Sequence, residues 1–226
     1  YQEIIQKIKN EDDSILHINQ EIKQQYNDLF GTIESSKYGS APLENVCQLI
    51  TDGTHQTPTY TTEGNGIKFL SSKDVTKEYI DWSNIEYIPY ELHEQLSKRI
   101  SPIRNDILLA KNGTIGIAAL NDTDETFDVY VSLAVLRPNE LVTPEYLLCA
   151  INSEYTKKLF KDSIVGMGVP NLHLNVIQKT KIVLPDITEQ LKFTSFVQRK
   201  LEAKKLAIQR KKKLEAERKE YLLSNF

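Results

Sequence analysis

The residues of this sequence best suited to chemistry are hydroxyl, amide and imidazole side chains gathered in short runs punctuated by glycine. The most conspicuous is Thr51-Asp-Gly-Thr-His-Gln-Thr-Pro58, whose shape is set by Gly53 and Pro58. Such side chains can donate to phosphate oxygens or match the donors and acceptors of base edges. Three further runs have the same make-up: Ser71-Ser72-Lys73-Asp74, Ala110-Lys111-Asn112-Gly113-Thr114, and Gly166-Met-Gly-Val-Pro-Asn-Leu-His173. Any one of them, taken alone, reads first as a surface turn.

Catalytic patterns are missing. No GxxxxGK[ST] run is present for a P-loop. Asn112-Gly-Thr-Ile-Gly116 is not GxGxxG and reads as a tight hairpin turn entering a strand, and Gly166-Met-Gly168 lacks the third glycine of a dinucleotide fingerprint. Asp122, Asp124, Glu125 and Asp128 share one polar loop, as solvated carboxylates do, rather than forming an acid–base pair. His17, His55, His93 and His173 are scattered, so neither a metal nor any other cofactor is expected. Cys47 and Cys149 lie far apart among apolar neighbours, as reduced core cysteines of a cytoplasmic protein do. Motifs for a methyl donor and the carboxylate–lysine set of metal-dependent nucleases are also absent.

The chain has 226 residues, 40% hydrophobic and 26% charged, which suits one or two globular units and is too apolar for disorder. No apolar run approaches the roughly 20 residues of a membrane span, so no membrane partner is expected. The first residue is Tyr1, inside a helical pattern, which suggests a fragment. The net charge of -3 conceals an uneven distribution: between Lys192 and Lys219 basic residues far outnumber Glu202, Glu215 and Glu217. A protein that meets nucleic acid through a few loops, beside a more basic partner, tolerates such an average.

The elements that must position the loops follow from periodicity. Ile8, Ile15, Ile22 and Leu29 recur every seven residues, with Ile4, Glu11, Ile18 and Gln25 at the second heptad position. This predicts one helix over residues 1–30 that needs a helical partner. Ser35–Pro42 has the composition of a linker. From Leu43 to about Pro185, short β-prone runs (67–70, 85–88, 106–110, 115–120, 129–131, 133–136 and 182–184) alternate with turns. Helices are predicted over Glu91–Arg99, from Pro144 to about Ala150 and on through Glu154–Lys161, and over Asn171–Gln178. A second long helix starts at Thr188 and runs without Gly or Pro to about Ser224. The fold class is therefore α+β: one globular unit of short strands and a few helices (35–187), flanked by helical segments 1–34 and 188–226. Tyr26-Asn-Asp-Leu-Phe30 and Tyr221-Leu-Leu-Ser-Asn-Phe226 end the two helices alike, through coincidence or an internal repeat.

In this order, the segments resemble the specificity subunits of type I restriction–modification systems. The matching residues are Leu43-Glu-Asn-Val46 leading into Asp52-Gly-Thr-His55 with Pro58, then Gly66-Ile-Lys-Phe-Leu70 with Ser72-Lys-Asp-Val75. Asp106-Ile-Leu-Leu-Ala110 into Gly113-Thr-Ile-Gly116, Ser132-Leu-Ala-Val-Leu-Arg-Pro138 and Pro144-Glu-Tyr-Leu147 follow. Leu184-Pro-Asp-Ile-Thr-Glu-Gln190, opening the long helix, is the most specific single match. The resemblance implies a target-recognition domain that reads half of a split site in double-stranded DNA. It also implies helices that pair as an antiparallel coiled coil and dock methyltransferase and restriction subunits, with no catalytic centre in the chain. Full-length members hold two such domains, so this chain resembles half of one.

On that basis the DNA contacts are expected at Thr54, His55, Gln56, Thr57, Ser71, Ser72, Lys73, Lys111, Asn112, Thr114, Asn171 and His173, with Lys73 and Lys111 as phosphate anchors. Helix pairing is expected through Ile8, Ile15, Ile22 and Leu29 against Val197, Leu201 and Ile208, and the same seam could join two copies in a homodimer. The alternatives are a coiled-coil protein–protein adaptor and the recognition half of a fused methyltransferase–endonuclease.

Overall fold

Ile107-Leu-Leu-Ala110 is apolar at every position, so a strand built from it must be covered on both faces. The computed structural model, which describes residues 1–164 and 170–225, shows how the chain meets that demand. The first half comprises α1 (Gln2–Phe30), β1 (Gly39–Pro42), α2 (Leu43–Val46), β2 (Cys47–Asp52), β3 (Ile67–Leu70), β4 (Glu86–Ile88), α3 (Tyr90–Leu96) and β5 (Ile107–Ala110). The second comprises β6 (Ala118–Leu120), β7 (Phe127–Val129), β8 (Leu133–Pro138), α4 (Pro144–Asn152), α5 (Glu154–Asp162), α6 (Leu174–Lys179), β9 (Lys181–Leu184) and α7 (Ile187–Asn225).

The middle layer is an antiparallel sheet in the order β2-β8-β5-β6. Its strands alternate with period two. Ile107, Leu109, Ala134 and Leu136 enter a core shared with the helices, while Leu108, Ala110, Leu133 and Val135 enter a second core on the opposite face. A three-stranded sheet, β4-β3-β7, supplies Leu70, Phe127 and Val129 to that second core. In it β3 runs antiparallel to β4 and parallel to β7.

Several boundaries differ from the sequence expectations. The strand expected over 115–120 begins only at Ala118, because residues 111–117 form the loop that returns β5 into β6. Ser153 has extended backbone angles and caps α5 by accepting from the Thr156 amide, so the helical stretch from Pro144 breaks there into two. Ser35–Pro42 is more than a linker. Its last four residues form β1, which pairs antiparallel with β9, Ser40 opposite Val183. This ribbon has little local strand propensity on the β1 side, and it brings the exit of α1 beside the entry of α7.

α1 and α7 run antiparallel along one another: Lys200 meets Glu21 at 2.7 Å, Arg210 grips Glu11 with two hydrogen bonds of 2.9 Å, and Lys211 meets Asp12 at 2.6 Å. Of the expected seam, Ile15, Ile22 and Val197 are buried, and Ile8, Leu201 and Ile208 are half-buried. Leu29 is the correction, being 44% exposed. An α-helix turns by about 20° per heptad relative to a strict seven-residue repeat, so the seam rotates away from Leu29 and onto Tyr26 and Phe30. These two pack with Tyr146 of α4 and Phe193 of α7 at centroid distances of 5.1–6.0 Å. The Tyr146 hydroxyl, deep in this cluster, donates to the Val183 carbonyl at 2.6 Å.

Because α1 and α7 fill this seam within one chain, the residues expected to join two copies are already occupied; a homodimer through them would require an exchange of helices. The likeness between the helix ends also has no common environment. Tyr26 is buried whereas Tyr221 is 41% exposed and stacked on Tyr1, and Phe226 lies outside the described residues.

Where α7 leaves the body, Lys204 occupies the seam fully buried, donating to Asn19 Oδ1 and to the Glu78 carbonyl, both at 2.8 Å. Burial pushes its ammonium down to about 8, against the opposing pull of the Glu78 carboxylate. Glu78 itself receives Lys23 from α1 at 2.8 Å and Lys157 from α5 at 2.9 Å, tying one loop to three helices.

Phe193→Ala should cost about 3–5 kcal/mol in urea unfolding followed by circular dichroism, because it empties the centre of the aromatic cluster. A folded-state value below the ordinary one for lysine means that the unfolded chain binds the extra proton between about pH 8 and 10.5, so stability from this group rises with pH in that window. Wild type should therefore gain stability on the Lys204→Met variant as pH rises from 7.5 to 10; a constant gap would show that Lys204 is not depressed.

Candidate nucleic-acid interface

The chain between β7 and β8, Tyr130–Ser132, is the seam on which the polar loops fasten. Thr54 donates its amide to the Val129 carbonyl at 3.1 Å and accepts from the Val131 amide at 2.9 Å. Tyr130 donates to the Leu70 carbonyl at 2.8 Å, fixing the start of the Ser71–Asp74 turn, and the Ser72 amide donates to Ser132 Oγ at 3.0 Å. Lys111 donates its amide to the Ser132 carbonyl at 2.9 Å and accepts from the Leu172 amide at 2.7 Å. Three loops far apart in the chain, and the described end of a fourth at Leu172, thus meet at one end of the two sheets. Gly166-Met167-Gly168, part of the fourth, lies outside the described residues.

Gly53 explains why this junction needs glycine. A Cβ there would fall 1.8 Å from the Val129 carbonyl oxygen, a backbone atom that cannot turn aside. Gly113, at φ 71°, supplies the left-handed residue that the β5–β6 loop needs.

The candidate residues are placed unequally. His55, Gln56, Thr57, Lys73, Thr114 and His173 are exposed, and Thr54, Ser71, Ser72, Asn112 and Asn171 are half-buried. The Thr54 hydroxyl accepts from the Gln56 amide at 3.2 Å, and Ser71 and Asp74 cap the 3₁₀ turn 72–74 reciprocally. Asn112 and Asn171 face each other in an isolated bridge, and among the described residues neither enclosed side-chain oxygen has a hydrogen-bond partner. Lys73 reaches Glu86 at 3.1 Å while remaining exposed, and that carboxylate holds its ammonium above the ordinary value.

Lys111 is the correction. Its side chain is 6% exposed and points to Asp52, Nζ 3.1 Å from Oδ2, so it supports the site from beneath and does not reach out to a phosphate. Its position after the apolar run of β5 turns it inward, where only a carboxylate makes its charge tolerable.

Asp52, the last residue of β2, collects two more partners on Oδ1: Arg99 Nη2 at 2.8 Å and His55 Nε2 at 3.2 Å. Arg99 is absent from the sequence expectations because it follows α3 rather than lying in a glycine-punctuated run. The short helix just before it is held from its middle by His93, whose Nδ1 is 2.7 Å from Asp128 Oδ2. Burial raises the Asp128 carboxyl, with the His93 contact acting in opposition. Among the described residues no group of three or more His, Cys, Asp or Glu side chains could hold a metal ion. Both cysteines are buried free thiols, Cys47 pushed up to about 12 by desolvation and Cys149 raised for the same reason. The arrangement offers hydrogen-bond donors, amides and cations on rigid supports, which suits recognition.

The protein is thus a sheet body that carries polar loops at one end and rests on an antiparallel helix pair. Residues 36–218 match the family model described as the type I restriction modification DNA specificity domain, and the chain belongs to that family. It is 28% identical over 132 residues to the type I restriction enzyme MjaVIII specificity subunit of Methanocaldococcus jannaschii, covering 56% of this chain and 31% of that relative. The fold is shared with the type I restriction–modification S subunit from M. genitalium (TM-score 0.64, 14% identity, 96% of this chain and 56% of that one). It is shared too with the HsdS subunit from Thermoanaerobacter tengcongensis (TM-score 0.54, 16% identity, 96% of this chain and 50% of that one). The chain therefore spans about a third of the curated relative and about half of these solved chains. Among the described residues no helix is long and apolar enough to cross a membrane.

Gly53→Ala should separate the loops from their seam. A loss of at least about 2 kcal/mol in thermal or urea unfolding is expected, the scale of severe core errors. A variant as stable as wild type would show that the close approach at Val129 is not required.

Proposed function

We propose that this chain reads one part of a split sequence in double-stranded DNA, as the recognition subunit of a type I restriction–modification complex, with no chemistry of its own. Residues 35–187 act as the target-recognition domain, and the helical segments 1–34 and 188–226 hold it at a set distance and angle from the rest of the assembly. The observation that carries this is the convergence of three polar loops on Tyr130–Ser132, with Leu172 of a fourth held against Lys111, which gathers exposed hydroxyl, amide and imidazole groups at one end of a rigid body.

In this mechanism Thr54, His55, Gln56, Thr57, Ser71, Ser72, Asn112, Thr114, Asn171 and His173 approach the major groove, and Lys73 meets the backbone. Each well-formed bidentate base contact would discriminate by about 1–3 kcal/mol. The methyltransferase subunits, docked on the helices, would flip and methylate an adenine, and a restriction subunit would supply motor and nuclease activity. The work would take place in the cytoplasm.

One observation favours protein partners for the helix pair as well: Leu16, Leu29, Leu191 and Leu206 are exposed along α1 and α7. A pure adaptor would use these helices while its loops bound a polypeptide; salt-sensitive binding to duplex DNA separates the two.

The deciding experiment maps methylated adenines across the host genome with and without the gene for this chain. Loss of one split motif on deletion is the expected result. An unchanged map, with the companion methyltransferase expressed and active, would favour the adaptor.

A further inference from the structure

The cluster around Asp52 does more than close the fold. The carboxylate is 3% exposed and meets two basic side chains, Arg99 at 2.8 Å and Lys111 at 3.1 Å, together with His55 at 3.2 Å. By formal count one carboxylate offsets only one of the two, so the cluster carries a surplus positive charge before His55 is counted. Lys111 holds its charge below the surface, where solvent screens it poorly. Arg99, 50% exposed, carries N–H groups to the surface, and His55, 64% exposed, lies beside it with Nε2 turned to Asp52.

Arg99 is also held in place. Its Nη2 is committed to Asp52, which leaves the remaining donors of the planar guanidinium for an outside acceptor. Its segment is fixed at both ends, by Arg99–Asp52 and by His93–Asp128. A planar donor fork with surplus charge beneath it is matched by an anion with several acceptor oxygens.

We propose that Arg99, seated beside His55 on the buried Asp52–Lys111 pair, forms a phosphate clamp for the DNA backbone that sets the register of loop 54–57 on the duplex. This rests on the DNA-recognition reading. It moves the anchoring role expected of Lys111 to Arg99, and Lys111 becomes a positioning residue that supplies charge from beneath. A guanine edge would also present acceptors to Arg99, but it carries no net charge to meet the surplus.

The test uses the full chain purified with the subunits that accompany it. Binding is measured to a labelled duplex bearing the split motif and to one of scrambled sequence, over a range of salt. For Arg99→Gln the expected result is about a tenfold loss on both duplexes, with the slope of log affinity against log salt reduced by about 0.9, one phosphate contact. Arg99→Lys should keep the slope, and Lys98→Gln, which removes an exposed charge one residue earlier, should change affinity by less than about twofold. Thermal unfolding of each variant confirms that the fold is kept. Loss confined to the motif duplex would make Arg99 a base reader and overturn the clamp. Equal losses from Lys98→Gln and Arg99→Gln, or no loss from Arg99→Gln, would overturn it as well. Wild type that binds neither duplex would overturn the recognition reading itself, and the clamp with it.

Discussion

The arrangement depends on one closure, the packing of Tyr26 and Phe30 from α1 against Tyr146 of α4 and Phe193 of α7. A helix pair whose distal seam contains Lys204, Lys211 and Glu11 has little apolar area of its own to hold it together. Its stability must come from the end where it enters the core, since burying large aromatic side chains against a sheet is worth far more than exposed ion pairs. The β1–β9 ribbon completes the closure by holding α1 and α7 side by side at that same point. The distal pairs, Arg210–Glu11 and Lys211–Asp12, then choose orientation and alignment more than they supply energy.

The second constraint lies at the far end of the sheets. The middle sheet is covered on both faces, so its strands are rigid and their ends make firm supports. Upon them the chain places polar loops whose backbones are fixed by hydrogen bonds to Tyr130–Ser132 while many of their side chains stay in solvent. Backbones held by the fold and side chains left free to vary are what a recognition surface requires: the sequence read can change without the scaffold changing. Gly53 and Asp52 mark where the supports are tightest, one because no side chain fits and the other because it carries three partners.

Between the two ends sits Glu78, bound by Lys23 and Lys157 and adjoining Lys204. It touches α1, α5 and α7 through one loop. Buried ionic networks of this kind contribute little net stability and more geometric definition, because every partner must be in place before the desolvation cost is offset.

The sequence by itself determined what periodicity and turn chemistry can express. The heptads located α1 and much of its seam, the apolar run at Ile107–Ala110 required a doubly covered strand, and the glycine-punctuated runs located four loops around the site. Local patterns carry this because the chain positions involved are close together. What only the tertiary structure decided depends on partners distant in sequence. β1 became a strand because β9 was beside it, Leu29 lost its place because the helix rotates out of heptad register toward Tyr146 and Phe193, and Lys111 turned inward because Asp52 waited there. Arg99 gave no local sign at all, because its importance is the position of one carboxylate across the fold, and no spacing along the chain encodes that distance.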